Sequence, residues 1–125
     1  TWVVFLASLA CGLVIDTLLV VNNYRDIDND RRAGKKTLIV MIGADKGRLL
    51  YLWLGIIASL MGVVFAVYGK YWTPLLPTVY LIMHIATYRR MVKIGSGRQL
   101  NLVLADTARN MFVYGLTLSL GLLLS

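Results

Sequence analysis

The sequence predicts an all-α bundle of about four membrane-spanning helices, and three observations support this fold class. Of the 125 residues, 58% are hydrophobic and only 15% are charged, with a mean hydropathy of +0.72. A soluble domain of this size contains far more charge. The apolar residues form runs of about 20, which is the length that a helix needs to cross a bilayer. Because backbone groups in lipid must bond within their own segment, these runs are predicted to be helices.

The four predicted spans follow one another along a single membrane domain that comprises residues 1–125. Their approximate bounds are 2–24, 47–69, 73–91 and 105–124. Asp16 is the one charged residue inside the first span, and His84 is the one ionisable residue inside the apolar part of the third. A polar segment at about 25–46 separates the first two spans and is predicted to be a loop that caps the bundle at the membrane surface.

Basic residues are concentrated in two loops, and their distribution predicts the orientation of the chain. Residues 25–48 contain seven Lys and Arg and residues 89–109 contain five, whereas the short link around Lys70 contains one. Because cytoplasmic loops carry an excess of Lys and Arg, both basic loops are predicted to be cytoplasmic. The net charge of +7 is explained in this way. A nucleic-acid partner is not expected, since no groove of interleaved basic and aromatic residues is visible.

Several classes of chemistry are excluded by the residue inventory. A single cysteine, Cys11, rules out an internal disulfide and a cysteine-based metal cluster. Cys11 and His84 are isolated in apolar runs and are interpreted as packing residues. No Ser–His pattern that would indicate a covalent nucleophile is visible. The chain has no initiator Met and no signal-peptide pattern, so we expect it to be part of a longer protein.

The stretch NNYRDIDND, residues 22–30, places carboxylates and amides where the first span ends. Asn22, Asp26 and Asp30 are four residues apart, so a continuous helix would fan them across one face at steps of about 40°. Asp28 would point the other way and is expected to be solvated. Mg²⁺ prefers oxygen ligands and is typically held by one or two carboxylates together with substrate phosphates. The spacing therefore predicts a Mg²⁺ site, with a merely solvated charged loop as the alternative.

Basic residues follow the acids directly, and Gly34 provides a turn that would fold them back over the carboxylates. The four are Arg31, Arg32, Lys35 and Lys36. Such a cluster suits an anion such as diphosphate. Acids and bases together at a membrane surface predict a metal–diphosphate complex whose apolar tail lies in the bilayer. Taken singly, Arg31 and Arg32 fit a solvated loop that obeys the positive-inside rule better than a binding site.

The run NNYRDIDNDRRAGKKTLIVMIG resembles the second aspartate-rich motif of the UbiA-type intramembrane prenyltransferases. It is most similar to the menaquinone-pathway branch that prenylates 1,4-dihydroxy-2-naphthoate, whose pattern is close to NNxRDxxxDxxxGKxTLxVRxG. The later run LNLVLADTARNMFVYGLTLSLGLLL resembles the C-terminal helix of that branch. The resemblance implies a nine-helix bundle in the bacterial plasma membrane, of which this chain would supply the C-terminal helices. The chain alone would then be inactive.

The resemblance also implies roles for individual residues. Asp26, Asp30 and Asn22 would bind a Mg²⁺ ion that bridges to polyprenyl diphosphate, with Arg25 as a further catalytic residue. The diphosphate charge would be neutralised by Lys35, Lys36 and Arg31. Asn23 would meet the aromatic acceptor, and Asp16 is a second candidate because it lies seven residues earlier on the same helical face. Met41 stands where the branch commonly has Arg, so one contact to an anionic group would be lost or supplied elsewhere.

Two other classes of function remain open from the residues alone. A transporter or channel segment would align Asp16, Asp26 and Asp30 along a cation path. The polar residues crowd one end of the spans, however, whereas a transport path needs them through the whole bilayer. A membrane-anchoring subunit without a site is the third option. Asp16 is costly at bilayer depth and is therefore expected to face the bundle interior or a water-filled cavity, where it would either contact the aromatic substrate or form a structural hydrogen bond to a neighbouring helix.

Overall fold

The computed structural model describes residues 2–67 and 75–124, and these residues form six helices and no strand. The helices are α1 Trp2–Arg25, α2 Ile27–Arg32, α3 Leu38–Ile42, α4 Ala44–Val67, α5 Leu75–Ile94 and α6 Leu100–Leu124. The predicted all-α fold is confirmed. The predicted end of the second span near residue 69 and the predicted start of the third near residue 73 lie outside the described residues.

The four long helices pack in a ring. α1 contacts α4 and α6, and α5 lies between α4 and α6 on the other side. The short helix α3 packs on α1 and α4, and α2 contacts α1 and α3. The two short helices therefore cap one end of the bundle. Among the described residues, the stretch Phe5–Arg25 in α1 is long and apolar enough to cross a membrane, and the other three predicted spans do not meet the same criterion.

Two features differ from the sequence prediction. The segment predicted to be a loop contains α2 and α3, and α6 begins at Leu100 rather than near residue 105. The short helix α3 forms because Thr37 Oγ1 accepts a hydrogen bond from the Val40 backbone N at 3.2 Å. It ends at Gly43, whose φ is +89°. Leu100 stands between polar residues in the sequence, but its side chain is buried in the core. This burial favours a helix that begins at Leu100.

Two apolar clusters form the core, and each draws residues from several of the long helices. The cluster at the capped end consists of Val20, Val21, Tyr24, Ile39, Tyr51, Met91, Leu100 and Val103. The second cluster consists of Ala10, Val14, Ala58, Tyr80, Tyr114 and Leu118. Because the first cluster joins α1, α3, α4, α5 and α6, it holds the cap against the ends of the long helices.

His84 is fully buried between the two clusters. Its ring stacks on Tyr51 and Tyr80, with centroid distances of 4.6 and 5.6 Å. Its Nε2 lies 3.2 Å from the Leu52 carbonyl oxygen across the α4–α5 interface. A Cβ atom at Gly55 would overlap the imidazole ring, so the glycine makes room for it. These contacts support the interpretation of His84 as a packed residue that bonds across helices.

Replacing Gly55 with Ala is expected to destabilise the bundle by about 1–3 kcal/mol, because the added methyl group overpacks the His84 site. The measurement is the thermal unfolding midpoint in detergent. Gly12→Ala is the matched control, since a Cβ atom at Gly12 meets no atom within 4 Å. Equal midpoints for the two variants would show that the His84 packing is not tight.

Candidate functional site

At the capped end of the bundle, the Arg25 guanidinium connects α1 to α2 and α6. Its Nε and Nη2 donate hydrogen bonds to the two carboxylate oxygens of Asp26, at 3.1 and 3.3 Å. Nη2 also donates to Asn22 Oδ1 at 2.7 Å, and Nη1 donates to Asn101 Oδ1 at 3.0 Å. The planar fork of an arginine suits such a set of acceptors. We call these four residues the Arg25 network.

The helix bends at Asp26, directly after α1. Asp26 has φ −94° and ψ 11°, yet its backbone N bonds to the Asn22 carbonyl at 3.2 Å and its carbonyl accepts from the Asp30 backbone N at 2.8 Å. The hydrogen bonds of the helix therefore continue through Asp26, although its ψ angle departs from the helical value. Because of the bend, the regular rotation per residue does not continue from α1 into α2. Asp28, which a straight helix would point away from Asp26, lines a pocket together with it. Its side chain is 74% exposed, in agreement with the expectation that it is solvated.

A polar pocket of about 410 Å³ opens beside the Arg25 network. It is lined by residues of the α1–α2 junction and by residues around the start of α6, namely Arg25, Asp26, Asp28, Asn29, Arg32, Gly97, Arg98 and Asn101. Asp26 is paired with Arg25, and Asp28 lies 3.8 Å from Arg31. Arg32 and Arg98 have no carboxylate partner among the described residues. The pocket therefore offers unneutralised positive charge to an anion.

An apolar groove runs between α1 and α6 below the network. It consists of a cavity of about 530 Å³ near Asn22 and Leu104 and a second of about 470 Å³ near Cys11 and Phe112, and Ile15 lines both. The groove spans twelve residues of α1, from Cys11 to Asn22, which is about 16 Å along a helix axis. Asn22 lines the groove and bonds to Arg25, which lines the polar pocket. The apolar groove therefore begins where the polar pocket ends.

The donor atoms at this junction suit a small cation. Asn22 Oδ1 and Asp26 Oδ2 converge on one atom, Arg25 Nη2, at 2.7 and 3.3 Å. Arg25 thus occupies the position that a cation bound by these oxygens would take. Within residues 2–67 and 75–124, no group of three or more His, Cys, Asp or Glu could hold a metal on its own. The set fits Mg²⁺ held by one or two carboxylates and completed by phosphate oxygens.

The structure brings only some of the predicted site residues together. Asn22, Arg25 and Asp26 form the network, whereas Asp30 is half-buried and does not line the polar pocket. The three residues predicted to bind diphosphate are exposed and lie outside that pocket, namely Arg31, Lys35 and Lys36. Met41, which stands in the place of an arginine, is 71% exposed.

The two residues proposed for the acceptor lie on α1. Asn23 is half-buried, and Asp16 is exposed beside Ile15 and Leu19. Asp16 makes no hydrogen bond or ion pair within the described part of the chain. The α1 face that carries Asp16 lies on the outside of this four-helix ring, so the expectation that Asp16 faces a bundle interior or a water-filled cavity stays a prediction.

Three residues that sequence reasoning left without a role help to shape the site. Asn101 and Arg98 belong to the second basic segment, residues 89–109. Both basic segments were predicted to lie on the same side of the membrane, and this shared orientation is the signal that could have linked the two residues to the aspartate-rich motif.

Tyr24 is the third of these residues, and it is buried. Its hydroxyl donates a hydrogen bond to the Gly95 carbonyl oxygen at 2.6 Å and accepts one from Arg48 Nη1 at 2.7 Å. Tyr24 thereby ties the α5–α6 loop to the end of α1.

Comparison with known proteins agrees with this architecture. Residues 1–120 match the model of the UbiA prenyltransferase family. The chain belongs to this family. The UbiA family is one of membrane helical bundles, and the Arg25 network therefore lies at one end of such a bundle.

Several relatives in the family share the sequence over most or half of the chain. The chain is 33% identical over 118 residues to a 1,4-dihydroxy-2-naphthoate octaprenyltransferase of Mycobacterium tuberculosis, covering 94% of this chain and 40% of that protein. It is 42% identical over 64 residues to the enzyme of the same name in Haemophilus influenzae, covering 51% of this chain and 21% of that protein. It is 30% identical to a Drosophila melanogaster UbiA prenyltransferase domain-containing protein 1 homolog, covering 92% of this chain and 31% of that protein. No solved structure gave a significant match.

Replacing Tyr24 with Phe is expected to loosen the α5–α6 loop, because the hydroxyl is the atom that Arg48 and the Gly95 carbonyl share. The loss of this hydrogen bond should cost about 0.5–1.5 kcal/mol in the free energy of unfolding. Faster hydrogen exchange at the backbone amides of Gly97 and Arg98 is the local readout.

The matched control for this variant is Tyr88→Phe, since Tyr88 packs against the same core cluster and its hydroxyl makes no hydrogen bond within the described residues. Unchanged exchange in the Tyr24 variant would mean that the loop is held by other contacts.

Proposed function

We propose that the protein transfers a polyprenyl group from polyprenyl diphosphate to an aromatic acceptor, with 1,4-dihydroxy-2-naphthoate in menaquinone biosynthesis as the acceptor. Family membership and the names of the relatives support prenyl transfer. The observation that carries the proposal for this chain is the meeting of a polar, positively charged pocket and an apolar groove at the Arg25 network.

This arrangement matches a substrate with a charged head and a long apolar tail. The diphosphate would occupy the polar pocket, and the prenyl tail would follow the groove between α1 and α6 past Ile15. The groove contributes apolar surface that keeps water away from the tail and from the carbon that bears the diphosphate. Exclusion of water matters here because water would compete with the aromatic acceptor for that carbon.

Asn22, Asp26 and Asp30 are the residues that would hold Mg²⁺ in this proposal. The support is the convergence of the Asn22 and Asp26 oxygens on one point, and the position of Asp30 one helical turn beyond Asp26. The bound ion would neutralise negative charge on the departing diphosphate. Arg25 Nη2 would release the Asn22 and Asp26 oxygens to the ion, and Arg25, which lines the pocket, would then be free to contact the diphosphate.

The proposed reaction breaks the bond between the allylic carbon and the diphosphate oxygen, and the diphosphate leaves with the bonding electrons. A carbon of the electron-rich ring forms the new bond to the allylic carbon. With 1,4-dihydroxy-2-naphthoate, the ring carboxylate is lost as CO₂. Asn23 and Asp16 are proposed to meet the acceptor, since each follows directly on a residue that lines the groove, Asn22 and Ile15, and neither lines the polar pocket.

The location of the site is part of the same proposal. The α1–α2 and α5–α6 segments, which both contain basic residues, line one pocket and therefore lie at the same end of the bundle. The positive-inside rule favours the cytoplasmic face of the bacterial plasma membrane for that end. A transport path is less consistent with the described residues, because Leu18, Leu19 and Leu104 line the groove immediately beyond Asn22.

Replacing Asp26 with Asn should lower prenyl transfer by about 100-fold or more, because a neutral amide cannot provide the charge that a bound Mg²⁺ requires. The assay is formation of prenylated acceptor in membranes that contain equal amounts of the complete protein. Asp45→Asn is the control, since Asp45 is an exposed acid at the start of α4 whose surface ion pair contributes little. Full activity of the Asp26 variant would rule out the metal role.

Removal of divalent cations with a chelator should abolish prenyl transfer, and added Mg²⁺ should restore it. Within the described residues the protein offers too few acidic ligands to hold the ion without the diphosphate. The ion is therefore expected to be removable by dialysis as well as by a chelator. Undiminished activity after both treatments would contradict this part of the proposal.

A further inference from the structure

Two arginines of the polar pocket are left without an acidic partner in the described structure. Arg32 donates a hydrogen bond to the neutral Asn29 side chain, Nη2 to Oδ1 at 2.6 Å. Arg98 is exposed in the α5–α6 loop and forms no ion pair with any described carboxylate. Both line the pocket that also contains Asp26. A cationic side chain without a counter-charge in a concave site is a ready ligand for an anion.

The two arginines reach the pocket from different parts of the chain. Arg32 ends α2, whereas Arg98 precedes α6 by two residues. The Arg25–Asn101 hydrogen bond of 3.0 Å joins these two walls, because Asn101 lies in the first turn of α6. Gly97, with φ +96°, allows the turn that carries Arg98 into the pocket lining. The α5–α6 loop is thus attached to the aspartate-rich segment at one defined point.

We propose that Arg98 binds the diphosphate head from the α5–α6 side of the pocket, opposite the aspartate-rich segment, with Arg32 as the second cation. This inference deepens the proposed function and rests on it for the identity of the ligand. A guanidinium group donates two parallel hydrogen bonds to phosphate oxygens, which an exposed lysine cannot do. Met41 cannot make the anion contact that an arginine would make at its position. Arg98, which lies outside the aspartate-rich motif, would make such a contact instead.

The alternative partners of Arg98 have different chemistry and can be separated. The carboxylate of the aromatic acceptor is one, and the phosphate of a membrane lipid is another. Inorganic pyrophosphate is the probe that separates them, since it shares the head group of the prenyl substrate and lacks both the tail and the ring. Its binding can be measured by titration calorimetry on the complete protein in detergent, without any turnover.

The test compares Arg98→Gln, Arg98→Lys and the control Arg89→Gln in the complete protein. Arg89 is an exposed arginine of α5 that does not line the polar pocket, so its variant removes the same charge elsewhere. Each variant is titrated with pyrophosphate, and KM is measured separately for the prenyl diphosphate and for the acceptor. Arg98→Lys keeps the positive charge but cannot donate two parallel hydrogen bonds. It also keeps the proposal testable if Arg98→Gln does not fold.

The proposal predicts that Arg98→Gln weakens pyrophosphate binding about tenfold and raises KM for the prenyl diphosphate by a similar factor, the usual effect of losing one charge-assisted bond. KM for the acceptor should not change, Arg98→Lys should be intermediate, and Arg89→Gln should behave as the unaltered protein. If pyrophosphate binds and Arg98→Gln weakens it while no prenyl transfer is detected, the anion site stands and the proposed function fails.

Four results would overturn the inference. Pyrophosphate affinity that is unaltered in Arg98→Gln, or undetectable in the unaltered protein, would exclude Arg98 as a head-group ligand. A rise in KM for the acceptor alone would assign Arg98 to the ring carboxylate. An equal loss in Arg89→Gln would show a general effect of surface charge, as attraction to lipid phosphates would produce.

Discussion

The hydrogen bonds of the Arg25 guanidinium are the interaction on which the rest of the site depends. One side chain binds Asn22 and Asp26 at the end of α1 and Asn101 at the start of α6. Its three nitrogen atoms are the donors that the structure gives to the side-chain oxygens of Asn22, Asp26 and Asn101. Because charge-assisted bonds contribute more than neutral ones, this network stabilises the bend at Asp26 and holds α6 beside the aspartate-rich segment. The polar pocket exists because these two elements are held together.

The bundle beneath the network gives it a rigid base. Tyr24 precedes Arg25 and is buried in the core cluster at the capped end, and its hydroxyl links Arg48 to the α5–α6 loop. Further along the helices, His84 and the glycine that admits it hold α4 against α5. The catalytic residues that we propose therefore lie on helix ends whose inner faces are closely packed. The groove between α1 and α6 is the exception, because large apolar residues line it without filling it.

Much of this architecture was predictable from the sequence, and the misses have physical causes. Runs of about 20 apolar residues predicted the helices. The spacing of Asn22 and Asp26 predicted that their side-chain oxygens lie close together, and both accept a hydrogen bond from Arg25. Asp28 lines the polar pocket and Asp30 does not. The sequence could not predict this, because the bend at Asp26 interrupts the regular helical rotation. The Arg25–Asn101 contact joins residues 76 positions apart, and no local pattern encodes such a distance. Exposure of Asp16 depends on which face of α1 the neighbouring helices leave uncovered.

We propose that one amphipathic substrate occupies both the polar pocket and the apolar groove. Photolabelling with a prenyl diphosphate that carries a photoreactive group in its tail, followed by mass spectrometry of the labelled peptides, tests it most directly. We expect labelling of Ile15, Leu19 and Leu104, which line the groove. This labelling should be lost when excess pyrophosphate competes for the polar pocket. Labelling confined to exposed residues of the other helices, such as Trp53 and Ile82, and insensitive to pyrophosphate, would contradict it.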